Sequence, residues 1–467
     1  MAISITIARL LGVELFGTYA IVVSTQNIVL VCSEFGIPLA IAKFISEYRA
    51  KDSVSSHVIA RAGFKIVLIV TALSVIAYLL LGDLIGNGIY QEPLIATLIP
   101  LSGLVVISTT MIILLQGIAQ GHQMIRVIAL IRIANPAINL GFIPILAIYY
   151  SISGILVAIF IGQMIIVMFL LARFRKKFFS ISKVSVQPNR AEINKKLLSY
   201  SMYQLVGGLL IVPVLWLGNT ELTIVSGLES LGYFAVAFAL YSAMMVIPQS
   251  IIIPLMPRIS QLSVISASSI RKSIADTIRY ASLLLFVVVF SVTMFSTIIV
   301  EILYGSSYSS ASSTLSLMAI AAFFYALTSI AATLYTGTGR MRSYLILNVI
   351  GSLSFVIIAF IGIPLLGVEG LGLTYALTYS SSFVLYLTFS KYQFKMTYPE
   401  TILPILVATI FIITGFAAIF VLEVGLIGEI AIYACGMITM ALLMRKDMMS
   451  LLKGLAALLF KHRLRTL

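Results

Sequence analysis

Charge is scarce in this sequence. Of 467 residues, 10% are charged and 61% hydrophobic, and mean hydropathy is +1.12. Soluble domains carry roughly 25% charged and roughly 45–50% apolar residues, so a soluble globular fold is excluded. Cysteine is nearly absent as well. Cys32 and Cys435 lie in separate apolar runs without Cys-x-x-Cys spacing or a nearby His, which favours buried free thiols over a disulfide or a metal site. His57, His122 and His462 are isolated in the sequence and close to loops, so neither a metal centre nor a catalytic triad is indicated, and no cofactor is expected. TGTGR at Thr336 to Arg340 lacks the Gly-Lys-Ser/Thr ending and the preceding strand of a phosphate loop, which argues against ATP hydrolysis. No basic segment or small-residue cleavage site precedes the first apolar run, so no cleavable signal peptide is expected. The alternating pattern of outer-membrane barrels is missing too.

Long apolar runs are what the sequence does have. Many exceed the roughly 20 residues an α-helix needs to cross a ~30 Å hydrocarbon core, and a helix satisfies its own backbone there. The expectation is an all-α, polytopic membrane protein with fourteen transmembrane helices, at about 1–11, 15–42, 60–82, 93–118, 124–150, 152–172, 198–220, 230–258, 276–304, 309–336, 342–366, 368–390, 401–422 and 425–444. The first run, Met1 to Leu11, is too short to span alone, so either that helix is truncated or its true start lies upstream. Loop charge alternates along this series. One set of connections gathers Lys and Arg, including the cluster from Arg173 to Lys196 and the tail from Arg445 to Arg465; the other carries Glu14, Asp83, Glu92, Glu221, Glu301 and Glu423. Basic loops face the cytoplasm, which places both termini on the cytoplasmic side of a cell membrane. In that setting the net charge of +14 reflects cytoplasmic loops and anionic lipid rather than nucleic acid.

One short segment occurs twice. GVELFGTYA at Gly12 to Ala20 returns as GLESLGYFA at Gly227 to Ala235, a shift of 215 residues. The same shift sets Glu34 on Gln249 and Lys43 on Arg258, and QGIAQGHQMIR at Gln116 to Arg126 has a looser echo in LYTGTGRMR at Leu334 to Arg342. The expected organisation is an N-terminal lobe over 1–172, a basic cytoplasmic linker over 173–197, a C-terminal lobe over 198–390, and two further helices with a basic tail over 391–467. Both copies start on the outer side, so the six-helix lobes share one topology and a pseudo-two-fold axis runs along the membrane normal. Gly12 and Gly17 are expected to permit a tight outer turn.

Ala8, Arg9, Leu11, Gly12, Phe16, Gly17, Tyr19 and Ala20, followed by Glu34, Gly36 and Lys43, give the chain a further meaning. In this pattern it resembles the polysaccharide transporters of the multidrug/oligosaccharidyl-lipid/polysaccharide exporter superfamily. The resemblance implies a flippase that carries polyprenyl-(di)phosphate-linked oligosaccharides from the inner to the outer leaflet by alternating access. It also implies association with membrane lipid and with a polysaccharide polymerase or glycosyltransferases. The N-terminus departs from the family in lacking the usual upstream part of helix 1.

Such a substrate needs cationic partners for phosphate and polar groups for sugar, and ionisable residues within spans usually line a polar cavity. Arg9 faces the central cavity by the resemblance, with snorkelling to headgroups as the alternative. Lys43 and Arg258 are repeat mates at the inner mouth, suited to phosphate or to ordinary positive-inside anchoring. Arg132 shares a helix face with Asn135 and Asn139, whose competing role is helix–helix hydrogen bonding. Gln26, Asn27 and Glu34 form a polar series on the second span, and Glu34 is the candidate to carry H+ or Na+ or to pair with Arg9, with a protonated carboxyl bonded at the Gly36–Pro38 helix disturbance as the alternative. Gln249, Asn219 and Glu221 are weaker candidates on the second lobe, and Tyr200, Tyr203, Trp216, Tyr233 and Tyr241 could stack on sugars or simply pack. Two rivals stand beside this reading: a cation-coupled multidrug antiporter of the same superfamily, favoured by acidic cavity groups, and a membrane-embedded glycan ligase, which would need long outer loops that the sequence lacks.

Overall fold

Glycine, proline and charge punctuate the apolar runs, and the chain folds between them into helices. The computed structural model describes residues 1–49, 53–178, 190–396, 399–422, 424–443 and 445; the middle of the basic linker, 179–189, and nearly all of the basic tail lie outside these. Among the described residues there is no strand. The α-helices are α1 (Ala2–Leu11), α2 (Val13–Glu34), α3 (Ile37–Arg49), α4 (Ser53–Leu80), α5 (Pro93–Gly121), α6 (Ile125–Phe178), α7 (Arg190–Met244) and α8 (Val246–Ile265). They continue with α9 (Ala267–Met294), α10 (Ser296–Tyr304), α11 (Ala311–Gly337), α12 (Met341–Leu366), α13 (Val368–Phe394), α14 (Pro399–Phe420) and α15 (Leu426–Leu443). Non-helical torsions at Ser151 and Gly227 divide α6 and α7 into two spans each. Conversely, α2 with α3, the end of α7 with α8, and α9 with α10 each follow one apolar run across a short break. Counted this way, the described helices trace the fourteen expected spans.

Contacts group the chain into two compact units, Met1–Ala235 and Val236–Leu467. In the first, α5 is the central helix. It has buried residues on all sides, as expected of a helix without a polar face. Ile37, Ile41 and Ile45 of α3 pack with Leu114, Leu115 and Ile118 of α5 into one core cluster. In the second unit α11 has the same role, and its run of Ala, Ser, Thr and Gly lets neighbouring backbones come close. Tyr241, Tyr325, Tyr375 and Tyr379 meet edge to face in this unit, with ring centroids 4.9–6.4 Å apart.

The internal repeat is written in the backbone torsions. Gly12 has φ 77° and ψ 177°, and its mate Gly227 has φ 83° and ψ 172°. Both values lie where an L side chain is strained, so glycine suits both turns. Ser151 has φ 51° and ψ −133°; Gly367, shifted by 216, has φ 58° and ψ −129°. The turn after α5 repeats bond for bond after α11. His122, Gln123 and Met124 donate backbone N–H groups to Ile118, Gln120 and Ala119, as Thr338, Gly339 and Arg340 do to Leu334, Thr336 and Tyr335. The TGTGR segment is therefore this helix-ending turn and not a phosphate loop.

Within the first unit the two copies of the opening segment touch. A Cβ on Gly17 would overlap the Leu228 carbonyl, and one on Gly232 would overlap the Val13 carbonyl. Val13 and Leu228 are repeat mates, as are Gly17 and Gly232, so each copy offers the other the same surface. That reciprocity is the signature of a local two-fold relation. Gly17 accordingly serves close helix approach, and Gly12 alone makes the turn.

Candidate functional site

The second span breaks where its sequence says it should. Pro38 has no N–H to offer the Glu34 carbonyl and disfavours helix at Ile37, while Gly36 tolerates positive φ. α2 ends at Glu34, Phe35 takes φ 49° and Gly36 φ 67°, and α3 restarts at Ile37. Irregular backbone at membrane depth is tolerated where it lines a cavity. Here a cavity of about 310 Å³ sits against the break, within the first unit. Its polar lining is Glu34 from α2, Gln116 and Gln120 from α5, and Gln204 from α7; Val31, Leu39, Ile113 and Leu205 are among the apolar walls. Gln116 and Gln120 share one face of α5 through their i, i+4 spacing. Glu34 and Gln116 are half-buried, whereas Gln120 and Gln204 are exposed. Among the described residues the Glu34 carboxylate has no hydrogen-bond or ion-pair partner.

α7 frames this site by running antiparallel to α2 along its length. A Cβ on Gly36 would lie 2.5 Å from Gln204 Cβ and 2.8 Å from the Ser201 carbonyl. Further along, Trp216 Nε1 donates to Thr25 Oγ1 at 3.1 Å and Asn219 Nδ2 donates to Ser24 Oγ at 2.9 Å. Trp216 is thus a helix-pairing residue. One turn beyond Gln204, Tyr200 holds Lys43: the ammonium lies 4.2 Å from the Tyr200 ring centroid and 5.3 Å from that of Phe44.

Of the residues singled out from the sequence, Glu34 lines the cavity and Lys43 lies near it. Arg9 is exposed at the end of α1 beside Gly12. Glu34 is at the opposite end of α2, about 30 Å away at 1.5 Å per residue, so the two cannot pair. Gln26 is buried and Asn27 exposed, and neither lines the cavity. Asn139 Nδ2 donates to Asn135 Oδ1 at 3.2 Å, and a Cβ on Gly162 would crowd Asn139, which is a helix-packing arrangement; Arg132 on the same helix is exposed. Gln249 and Arg258 are exposed on α8 in the second unit. Tyr233 donates to Glu229 at 2.6 Å and Tyr241 belongs to the tyrosine cluster; the Tyr203 side chain lies outside the described ones.

His57 and His122, apart in sequence, have ring centroids 6.5 Å apart, although no group of three metal-ligating side chains occurs among the described residues. Both cysteines are free, but Cys435 is exposed and Cys32 half-buried. In the sequence QGIAQG stands out for its repeat echo, which masks the other signal it holds: two carboxamides at i, i+4 in an apolar helix.

Comparison with known proteins agrees with this architecture. The family profile described as polysaccharide biosynthesis protein matches residues 1–263. A structure of the lipid II flippase MurJ, inward closed, is similar with a TM-score of 0.73 at 16% identity, covering 96% of both chains. An inward-facing multidrug resistance MATE transporter of the MOP superfamily gives 0.70 at 13% identity, covering 84% of this chain and 93% of its own. A MOP superfamily transporter from Pyrococcus furiosus, whose binding pocket has reversed polarity, gives 0.54 at 16% identity, covering 85% of this chain and 98% of its own. No curated protein sequence matches. At these identities the structural likeness establishes the fold.

Proposed function

The chain belongs to the polysaccharide biosynthesis protein family, and from that premise we propose that this multi-pass membrane protein flips polyprenyl-(di)phosphate-linked oligosaccharides from the cytoplasmic to the outer leaflet. The observation that carries the proposal is the cavity at the broken second span, where one carboxylate and three carboxamides converge with Lys43 close by. In the proposed cycle, lobes 1–172 and 198–390 alternate access around a polar path while the lipid tail stays in the bilayer. The basic connections, and with them both termini, face the cytoplasm of the cell. Outward movement of phosphate charge is favoured by about 2.3 kcal/mol per charge per 100 mV, inside negative. Downstream polymerase or glycosyltransferases would remove the product, and Glu34 is the group to carry H+ or Na+ if transport is ion-coupled.

A second reading, cation-coupled multidrug antiport, is favoured by one feature: among the described residues Glu34 is the sole ionisable one of the cavity lining. Reconstituted vesicles separate the two. The flippase reading expects translocation of a fluorescent polyprenyl-diphosphate sugar well above empty vesicles. Background-level sugar-lipid movement with robust efflux of a cationic dye would overturn it in favour of antiport.

A further inference from the structure

We infer that the cavity at the break of the second span is a neutral sugar subsite, with the diphosphate held outside it at Lys43. The inference rests on the proposed transport of a sugar-linked lipid and assigns its headgroup to particular residues. Each carboxamide of Gln116, Gln120 and Gln204 has two donors and an acceptor oxygen, and Glu34 supplies two acceptor oxygens. Sugar hydroxyls both donate and accept, so vicinal pairs match such planar groups. The apolar walls Val31, Leu39, Ile113 and Leu205 suit the C–H faces of a pyranose.

Charge keeps phosphate out. Among the described residues the lining contains no Lys or Arg, and a diphosphate placed there would meet the Glu34 carboxylate with no compensating cation from them. Lys43 of α3 sits against Tyr200, which precedes the lining residue Gln204 by about one helical turn of α7, and its ammonium, over the Tyr200 and Phe44 rings, has three protons to share with phosphate. That spacing suits a sugar joined directly to its diphosphate. Size argues against a bare cation: about 310 Å³ holds roughly ten waters, whereas hard cations are gripped by oxygens about 2.3–2.6 Å away. That volume lies at the lower end of the roughly 300–1,000 Å³ of small-molecule pockets, the scale of a short saccharide. Gln116 and Gln120 correspond to Ala332 and Thr336 in the second repeat, so these carboxamides belong to the first repeat alone.

The test uses the full chain in vesicles, with Cys32 and Cys435 replaced by Ser and Leu205→Cys as reporter of maleimide labelling. The probes are a polyprenyl diphosphate bearing N-acetylglucosamine, the same diphosphate without sugar, and NaCl. Sugar-bearing lipid should slow labelling at least fivefold, and sugar-free lipid or NaCl should change it less than twofold. Gln116→Leu and, independently, Gln204→Leu should each weaken sugar-dependent protection at least tenfold in concentration. In equilibrium binding of radiolabelled sugar-free polyprenyl diphosphate to the detergent-solubilised protein, both should match the parent within twofold, whereas Lys43→Gln should weaken binding at least fivefold. Equal protection by sugar-free lipid, protection by NaCl alone, or no protection by either lipid would overturn the subsite. If sugar-dependent protection holds while vesicle transport fails, the subsite stands and the transport reading falls.

Discussion

Gly17 and Gly232 invite a pair of substitutions whose outcome depends on the repeat. The Cβ of Gly17→Ala would overlap the Leu228 carbonyl, and that of Gly232→Ala the Val13 carbonyl. Both obstacles are backbone atoms within helices, which cannot rotate aside as a side-chain tip could. The helices must separate, and overpacking of this kind costs about 1–3 kcal/mol. That is about a 5- to 150-fold loss in the population of the close-packed contact. Because each alanine parts the same two helices, the double variant should cost clearly less than the sum of the singles. The assay is labelling of Leu228→Cys by a membrane-impermeant maleimide, again with Cys32 and Cys435 replaced. Each alanine should accelerate labelling at least fivefold, with insertion and detergent-solubilised size unchanged. Labelling within twofold of the parent in both singles, or full additivity in the double, would refute a reciprocal backbone contact.

Two other predictions concern the turn torsions. Nothing lies within 4 Å of a Cβ added at Gly12 or Gly227, so alanine there meets backbone strain alone; each should lower stability by about 1–2 kcal/mol and by similar amounts, read from thermal unfolding in detergent. Ser151 holds the torsions its mate Gly367 holds, so Ser151→Gly should raise stability by about 1 kcal/mol in the same measurement, and a loss would show that the serine side chain contributes more than its strain costs.

The spans and the repeat were legible because hydrophobic length and loop charge are local properties of the chain. Even the break in α2 could be read from Gly36 and Pro38. What the sequence could not show was which side chains the break gathers. Glu34 stood out as a charge within a span, but Gln204 comes from a helix 170 residues away, and only packing sets it opposite Gly36. Arg9 and Glu34 looked like partners on chemistry; helix length separates them. By sequence Gly17 looks like a turn residue, since nothing local distinguishes a glycine that bends the chain from one that admits a neighbouring backbone. His57 and His122 likewise meet only through the packing of α4 against the end of α5.

The most direct test of the central claim is the initial rate at which a fluorescent polyprenyl diphosphate crosses between leaflets, with and without its sugar. Vesicles containing the protein should move the sugar-bearing lipid at least tenfold faster than empty vesicles and faster than its sugar-free counterpart. A sugar-bearing rate equal to that of empty vesicles would contradict the account.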